Sequence, residues 1–293
     1  MLSQRARFWL AVSLMVSLLA FGFACKKSSV EDDTDTDEVA GNTGTPFKPK
    51  GDEGTITGKV TLTGTAPAPD PIDMSQDGAC VQSNPNPVSE VVSVKDGKLA
   101  SVFVYIKEGQ VTGGKKIKDY TFDVPAEAAT LDQHGCHYVP HVLALQAKQK
   151  VNVVNSDPTT HNVNVQAKQN EKWNQSQTQG AAPIVKTFAR GETMIPVKCN
   201  QHPWMKAYIN VLNHPYFMVT KDDGTFEIKN VPPGTYTLVA WHERFGEKTA
   251  QVKVDAKGTA TADFTFDAGA KAALDSSSLE VLPALEFPML MSH

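Results

Sequence analysis

The chain has 293 residues, 41% of them hydrophobic, enough to bury the core of one large or two small domains. Basic residues number 28 and acidic residues 32, a formal charge of −4, which argues against a nucleic-acid binder. One long apolar stretch occurs, at the N-terminus, so the chain is not a multi-span membrane protein, and 20 Gly with 18 Pro lacking any period favour a turn-rich β protein.

Arg5 and Arg7 precede an apolar run from Phe8 to Phe23, which ends in Gly22-Phe23-Ala24-Cys25. A basic start, an apolar centre and small residues at the exit describe a secretory signal over residues 1–24. The small residues before Cys25 resemble a bacterial lipoprotein signal, which implies lipidation of Cys25. Lys26 after it is similar to the outer-membrane sorting signal of Gram-negative lipoproteins. The alternative is an uncleaved anchor. Residues 25–52 hold Glu31, Asp32, Asp33, Asp35, Asp37 and Glu38 among small polar residues, too little apolar content for a core, and read as a flexible acidic tether.

Strand patterning begins at Thr55, where Ile56, Val60 and Leu62 fall on one face. Further strands are expected over residues 88–94 and 99–106, around the turn Lys95-Asp96-Gly97-Lys98. Others follow over 120–124, 142–145, 151–154, 162–165, 193–197 and 208–212. A second unit starts near Tyr216. It has a hairpin around Lys221-Asp222-Asp223-Gly224, then Val231-Pro232-Pro233-Gly234, and strands over 235–241, 248–254 and 259–266. The predicted class is all-β. The run from Asp223 to Ala240 resembles the small transthyretin-like β-sandwich that accompanies carboxypeptidases, and Gly54 to Pro67 resembles the first strand of that family. The domains are therefore expected at 53–215 and 216–268, the first strand being shared with the second domain, with a tail at 269–293.

The cysteines are Cys25, Cys80, Cys136 and Cys199. Cys80 and Cys136 lie in loop-like contexts and are expected to pair in an oxidising compartment, which singles out Cys199. Cys199-Asn200-Gln201-His202-Pro203-Trp204-Met205 sets a thiol, an imidazole and a thioether close together, and Asn155 to Val163 contributes His161 at a loop-to-strand junction. Two His, one Cys and a weak axial Met form the ligand set of blue-copper electron-transfer sites. Zinc could use the Cys and both His but does not ask for the Met.

This C-x2-H-x2-M loop, with Pro after the His, is similar to the short ligand loop of amicyanin, and the chain resembles a cupredoxin from about Gln146 to Leu212. The resemblance implies a Greek-key cupredoxin β-sandwich holding one mononuclear type 1 copper through His161, Cys199, His202 and Met205. It further implies that Asn162 ties the two ligand loops together, that Pro203 removes an N–H near the sulfur, and that His202 is the exposed port for electrons beside Trp204.

Other histidines are weighed separately. His134, His137 and His141 cluster around Gly135 and Pro140 and read as lining a loop, although His-x3-His is also a ligand spacing. His214 and the pair His242-Glu243 stand alone, the latter an acid/base pair without a nucleophile. No G-x-S-x-G, H-E-x-x-H or Walker loop occurs. The expected protein is a lipid-anchored periplasmic electron carrier, not an enzyme. It meets a periplasmic redox protein, touches the membrane through its lipid and binds no nucleic acid. A copper-delivery module and a structural cell-surface protein with a vestigial site are the alternatives.

Overall fold

The computed structural model describes residues 44–269. The expected signal segment, Cys25 as the expected lipidation site, most of the expected tether and nearly all of the expected C-terminal tail lie outside the described residues. Within them the chain is almost entirely β, as composition and alternation require, and it builds two separate apolar cores. Among the described residues no helix is long and apolar enough to cross a membrane.

The first core holds the candidate ligands. One of its sheets has the order Trp173–Gln177, His161–Val165, Glu192–Lys198, Lys206–Leu212, Val142–Gln146. Facing it is a sheet ordered Ile184–Thr187, Lys150–Asn155, Ala129–His134, His137–Val139. Leu131, Leu145, Val151, Val153, Val163, Val165, Val197 and Ile209 are buried between them. Alternation places them there: in Lys150–Asn155 the odd-numbered valines point inward and Asn152 does not. Four strands of this unit (Ala129–His134, His137–Val139, Trp173–Gln177, Ile184–Thr187) escape the sequence reading. They are short or polar, and Trp-Asn-Gln-Ser-Gln carries no apolar period.

The second core draws on both ends of the described chain. Gly54–Thr63 pairs antiparallel with Thr225–Val231 and parallel with Thr259–Thr261 and Phe264–Asp267. Ile56, Val60 and Leu62 all turn into this core, as their alternation predicts. Phe103–Val111 sits in the opposite sheet between Phe217–Val219 and Gly234–His242, with Gly246–Val254 beyond. The boundaries at 53–215 and 216–268 therefore do not follow sheet membership. Gly54–Thr63, Val94–Lys95, Lys98–Leu99 and Phe103–Val111 all belong to the second sandwich. The ligand-bearing unit is an insertion into it. The hydrophobic faces of these strands meet Phe226, Ile228, Tyr236 and Leu238, which burial rewards and chain order does not forbid. A third cluster joins the two units, with Phe103, Tyr105 and Trp241 from one side against Val142, Tyr208 and Leu212 from the other.

Local chemistry explains the recognisable motifs. The Asp96-Gly97 turn has positive φ at both residues, the geometry two-residue hairpins favour. In Val231-Pro232-Pro233-Gly234-Thr235-Tyr236 the Tyr236 hydroxyl donates to Pro232 O at 2.7 Å, closing the corner into the strand. A Cβ at Gly234 would meet that hydroxyl at 2.6 Å. Gly58 lies where Gly54–Thr63 changes parallel partners. A Cβ there would fall 1.9 Å from Ala262 O, beside the Ala262 N–H to Thr57 O bond of 2.9 Å. Gly58→Ala is expected to cost about 3 kcal/mol, the upper end for overpacking. A shift in the urea unfolding midpoint measures it, and an unchanged midpoint would contradict the close approach.

His214 is buried where the chain enters the second sandwich. Its Nε2–H donates to Ile106 O at 2.9 Å, and its Nδ1 accepts from Tyr216 N at 3.2 Å. Burial outweighs the hydrogen bond to Ile106 and pushes its pKa down to about 4. His242 is also held down at about 4, by burial first and then by the charges of His141 and Arg244. An unfolded histidine titrates near ~6.5. Between these values the unfolded chain takes up protons that the folded chain refuses. The stability that His214 and His242 contribute is therefore full above pH ~6.5 and is lost as the pH drops toward ~4, by about 3 kcal/mol per histidine. Urea titrations across this window should show the slope, and His214→Gln should remove about half of it.

Candidate metal centre

The ligand loop is a tight connection between two antiparallel neighbours. Lys198 pairs with Lys206, so Cys199 and Met205 leave the ladder opposite one another. The loop closes on itself: Cys199 N donates to Met205 O at 3.1 Å, and Met205 N donates to His202 O at 3.0 Å. Pro203 is exposed in this turn, where a missing N–H costs nothing. His161 starts the adjacent strand, His161–Val165, which pairs with the end of Glu192–Lys198.

These elements bring His161, Cys199 and His202, three of the four predicted ligands, together. His161 Nδ1 lies 2.9 Å from His202 Nδ1, and His202 Nδ1 lies 3.7 Å from Cys199 Sγ. One donor atom from each of His161, Cys199 and His202 falls within 4.8 Å of the others. All three side chains are buried, and Met205, at 0% exposure, shares the core cluster that contains Cys199. Asn162 has its expected place. Its Oδ1 accepts from Asn200 N at 2.7 Å and from the Cys199 thiol at 3.4 Å, joining the two ligand segments.

The sequence reading did not name Asp157, Asp77, Tyr138 or the place of the disulfide over the site. Asp157 Oδ2 accepts from His161 Nε2 at 2.9 Å, and Asp77 Oδ2 lies 3.2 Å from His202 Nε2. Cys80 and Cys136 form the expected disulfide, with Cα atoms 5.5 Å apart, and Cys199 remains a free, buried thiol. That disulfide lies over the site: Cys80 Sγ is 3.9 Å from His202 Nε2, and Trp204 Nε1 donates to Cys136 O at 3.2 Å. The Tyr138 hydroxyl donates to Asn162 O at 2.6 Å from within the same core. Asp157 precedes His161 by four residues, so a spacing signal existed for it. Asp77 is remote in sequence and announces itself only as the N-cap of the short helix Gly78–Ser83.

The expectation of an exposed His202 is corrected. His202 is 5% exposed, shut in by Asp77, Cys80 and the tilted ring of Trp204, whose centroid is 5.0 Å away. The histidine cluster also differs from a plain loop lining. His137 and His141 direct Nδ1 toward Glu90 Oε2, at 3.3 and 3.8 Å, and His141 Nε2 contacts Glu243. Glu243 is thus engaged by His141 rather than by its neighbour His242, whose Nδ1 accepts from Arg244 N.

Electrostatics follow from the geometry. Burial opposes a charged His161, but the hydrogen bonds and charges of Asp157 and Cys199 outweigh it and push the ring up to about 9. Burial would raise the Cys199 thiol, yet bonds from His161 and from loop backbone N–H groups hold it below its ordinary value. His202 is lowered, by burial and then by the His161 charge, against the pull of Asp77. Burial works to raise Asp77 and Asp157, but their hydrogen bonds keep both low, hence as carboxylates.

The donor set suits a soft first-row metal. Two imidazole nitrogens and a thiolate at these separations can reach one ion at the usual ~2.0–2.3 Å. The thioether of buried Met205, on the same loop as Cys199 and His202, favours copper over zinc.

Residues 200–267 match the family model of the carboxypeptidase regulatory-like domain. No curated protein matches the chain. Among solved structures, the chain is similar to a Cu-containing nitrite reductase from Thermus scotoductus SA-01, with 22% identity and a TM-score of 0.28 over 30% of this chain and 23% of that one. It thus spans under a quarter of that enzyme. A purple cupredoxin from Nitrosopumilus maritimus aligns at 18% identity and TM-score 0.25, covering 28% of this chain and 98% of its own. Amicyanin from Paracoccus versutus aligns at 19% and 0.26, covering 37% and 96%. The functional reading rests on the side chains, not on these alignments.

Proposed function

We propose that the protein is an electron carrier with one mononuclear type 1 copper held by His161, Cys199, His202 and Met205. The observation that carries this reading is the convergence of two histidine Nδ1 atoms on a buried free thiol, with a buried Met205 closing the same loop. Copper bound there supplies one-electron exchange between Cu(I) and Cu(II). The chain's part is to hold the donors rigidly, exclude water and keep Cys199 as a thiolate. Strands on both sides set the donor positions, so little rearranges when the charge changes. The protein has no catalytic step of its own. The signal and Cys25 support lipid anchoring at the outer membrane, facing the periplasm, where a second redox protein is the partner. Such contacts are small and brief. Cu(II) added to the chain from Gly51 onward should give an intense visible thiolate-to-copper band, an EPR spectrum with small copper hyperfine splitting and a reversible voltammogram. Copper bound without a reversible couple would point to delivery instead. No copper binding at all would leave a structural role.

A further inference from the structure

Each histidine that directs Nδ1 into the site has its other ring nitrogen against a carboxylate, and neither carboxylate belongs to the Cys199–Met205 loop. Asp157 takes His161 Nε2 at 2.9 Å and is itself held by Gly135 N at 2.7 Å and Cys136 N at 2.8 Å. Asp77 faces His202 Nε2 at 3.2 Å. It is held by Ala79 N at 2.8 Å, Cys80 N at 3.3 Å and the Thr159 hydroxyl at 2.9 Å. The two anchoring segments are joined by the Cys80–Cys136 disulfide. On the copper reading above, we infer that Asp77 and Asp157 are positioning residues, held by a disulfide-joined cover, that orient both histidines for Nδ1 ligation and bias the bound copper toward Cu(II).

The reasoning is elementary. A neutral imidazole carries one N–H, and a carboxylate at Nε2 keeps it there, leaving the Nδ1 lone pair for the metal. The same bond makes the ring a stronger donor, which favours the higher oxidation state. Two carboxylate charges in a site shielded from water act in the same direction, because attraction to a divalent ion exceeds attraction to a monovalent one. The cover explains why His202 is buried: the segments that supply Asp77 and Cys80 occupy the space over its ring edge.

Asp77→Asn and Asp157→Asn, made in the full chain, test this. Asparagine still accepts the Nε2–H through its carbonyl oxygen, so the visible band should remain in both variants. Cu(II) affinity should fall by roughly 10–100-fold, the usual cost of losing such a partner, with Cu(I) affinity falling less. A tenfold loss of preference for Cu(II) over Cu(I) raises the potential by ~59 mV for a one-electron couple. Asp157→Asn should show the larger shift, since His161 is the more deeply buried ring. A second measurement needs no variant. Nitrogen-15 NMR of the Cu(I)-loaded wild type should find the ring protons of His161 and His202 on Nε2. Band-positive variants with unchanged affinity and potential, or an Nδ1–H on either ring, would overturn the inference while leaving copper binding intact. A wild type without the band would instead remove the copper reading, and this inference with it.

Discussion

Replacing Cys199 with serine is expected to abolish the visible band of the Cu(II)-loaded protein and to weaken copper binding by more than about 100-fold, beyond the range for losing a mere ligand-orienting group. The band requires a thiolate, and a serine hydroxyl does not ionise under these conditions. The surroundings of Cys199 are built for a negative sulfur. The thiol is held below its ordinary value by His161 and by backbone N–H groups of the loop, although burial works against it. A hydroxyl would inherit the contact with Asn162 Oδ1 and fit the same space, so the fold should survive. Unfolding midpoints of the metal-free proteins check that point. Cys80→Ser serves as the contrast, since it alters the cover and leaves the thiolate ligand in place, and its band should persist. Equal bands in the wild type and Cys199→Ser would sink the assignment of the site.

Removing the disulfide with the pair Cys80→Ser and Cys136→Ser is expected to cost about 4 kcal/mol of stability, the loop-closure value for a cross-link spanning 56 residues. The replaced sulfurs are fully buried, so two hydroxyls would also sit in an apolar core with Met74 and Tyr138. Chemical unfolding followed by tryptophan fluorescence measures this, because Trp173 and Trp204 both pack against the ligand-bearing core. The loss should be accompanied by weaker copper binding. Asp157 accepts from Cys136 N, and Asp77 caps the helix carrying Cys80, so loosening the bridge loosens both carboxylates. A cost below about 1 kcal/mol, with unchanged copper affinity, would mean that packing alone holds the cover in place.

Much of the site was legible because its elements are short-range. Cys199, His202 and Met205 share one hairpin loop, and the strands on either side are apolar and alternate, so spacing alone put three donors together. His161 was legible as chemistry rather than position. The residue type at a loop-to-strand junction suggested a ligand, and pairing of His161–Val165 beside the ligand strand delivered it. The cysteine pairing followed from the expected export and from loop context, and Gly54–Thr63 from its period.

The sequence by itself determined the all-β class, the hairpin turns at Asp96-Gly97 and Gly224, the Pro232-to-Tyr236 corner and the placing of Cys199, His202 and Met205 in one loop, because each depends on residues a few positions apart. Only the tertiary structure decided which sandwich owns Phe103–Val111. Its alternation states that one face is buried but not against what, and that choice fell to Leu238 and the other residues of the second core. Only the tertiary structure set Asp77 and Asp157 behind the two histidines and buried His202 under the disulfide. A carboxylate's partner is chosen by distance in space, and chain separation carries no record of it.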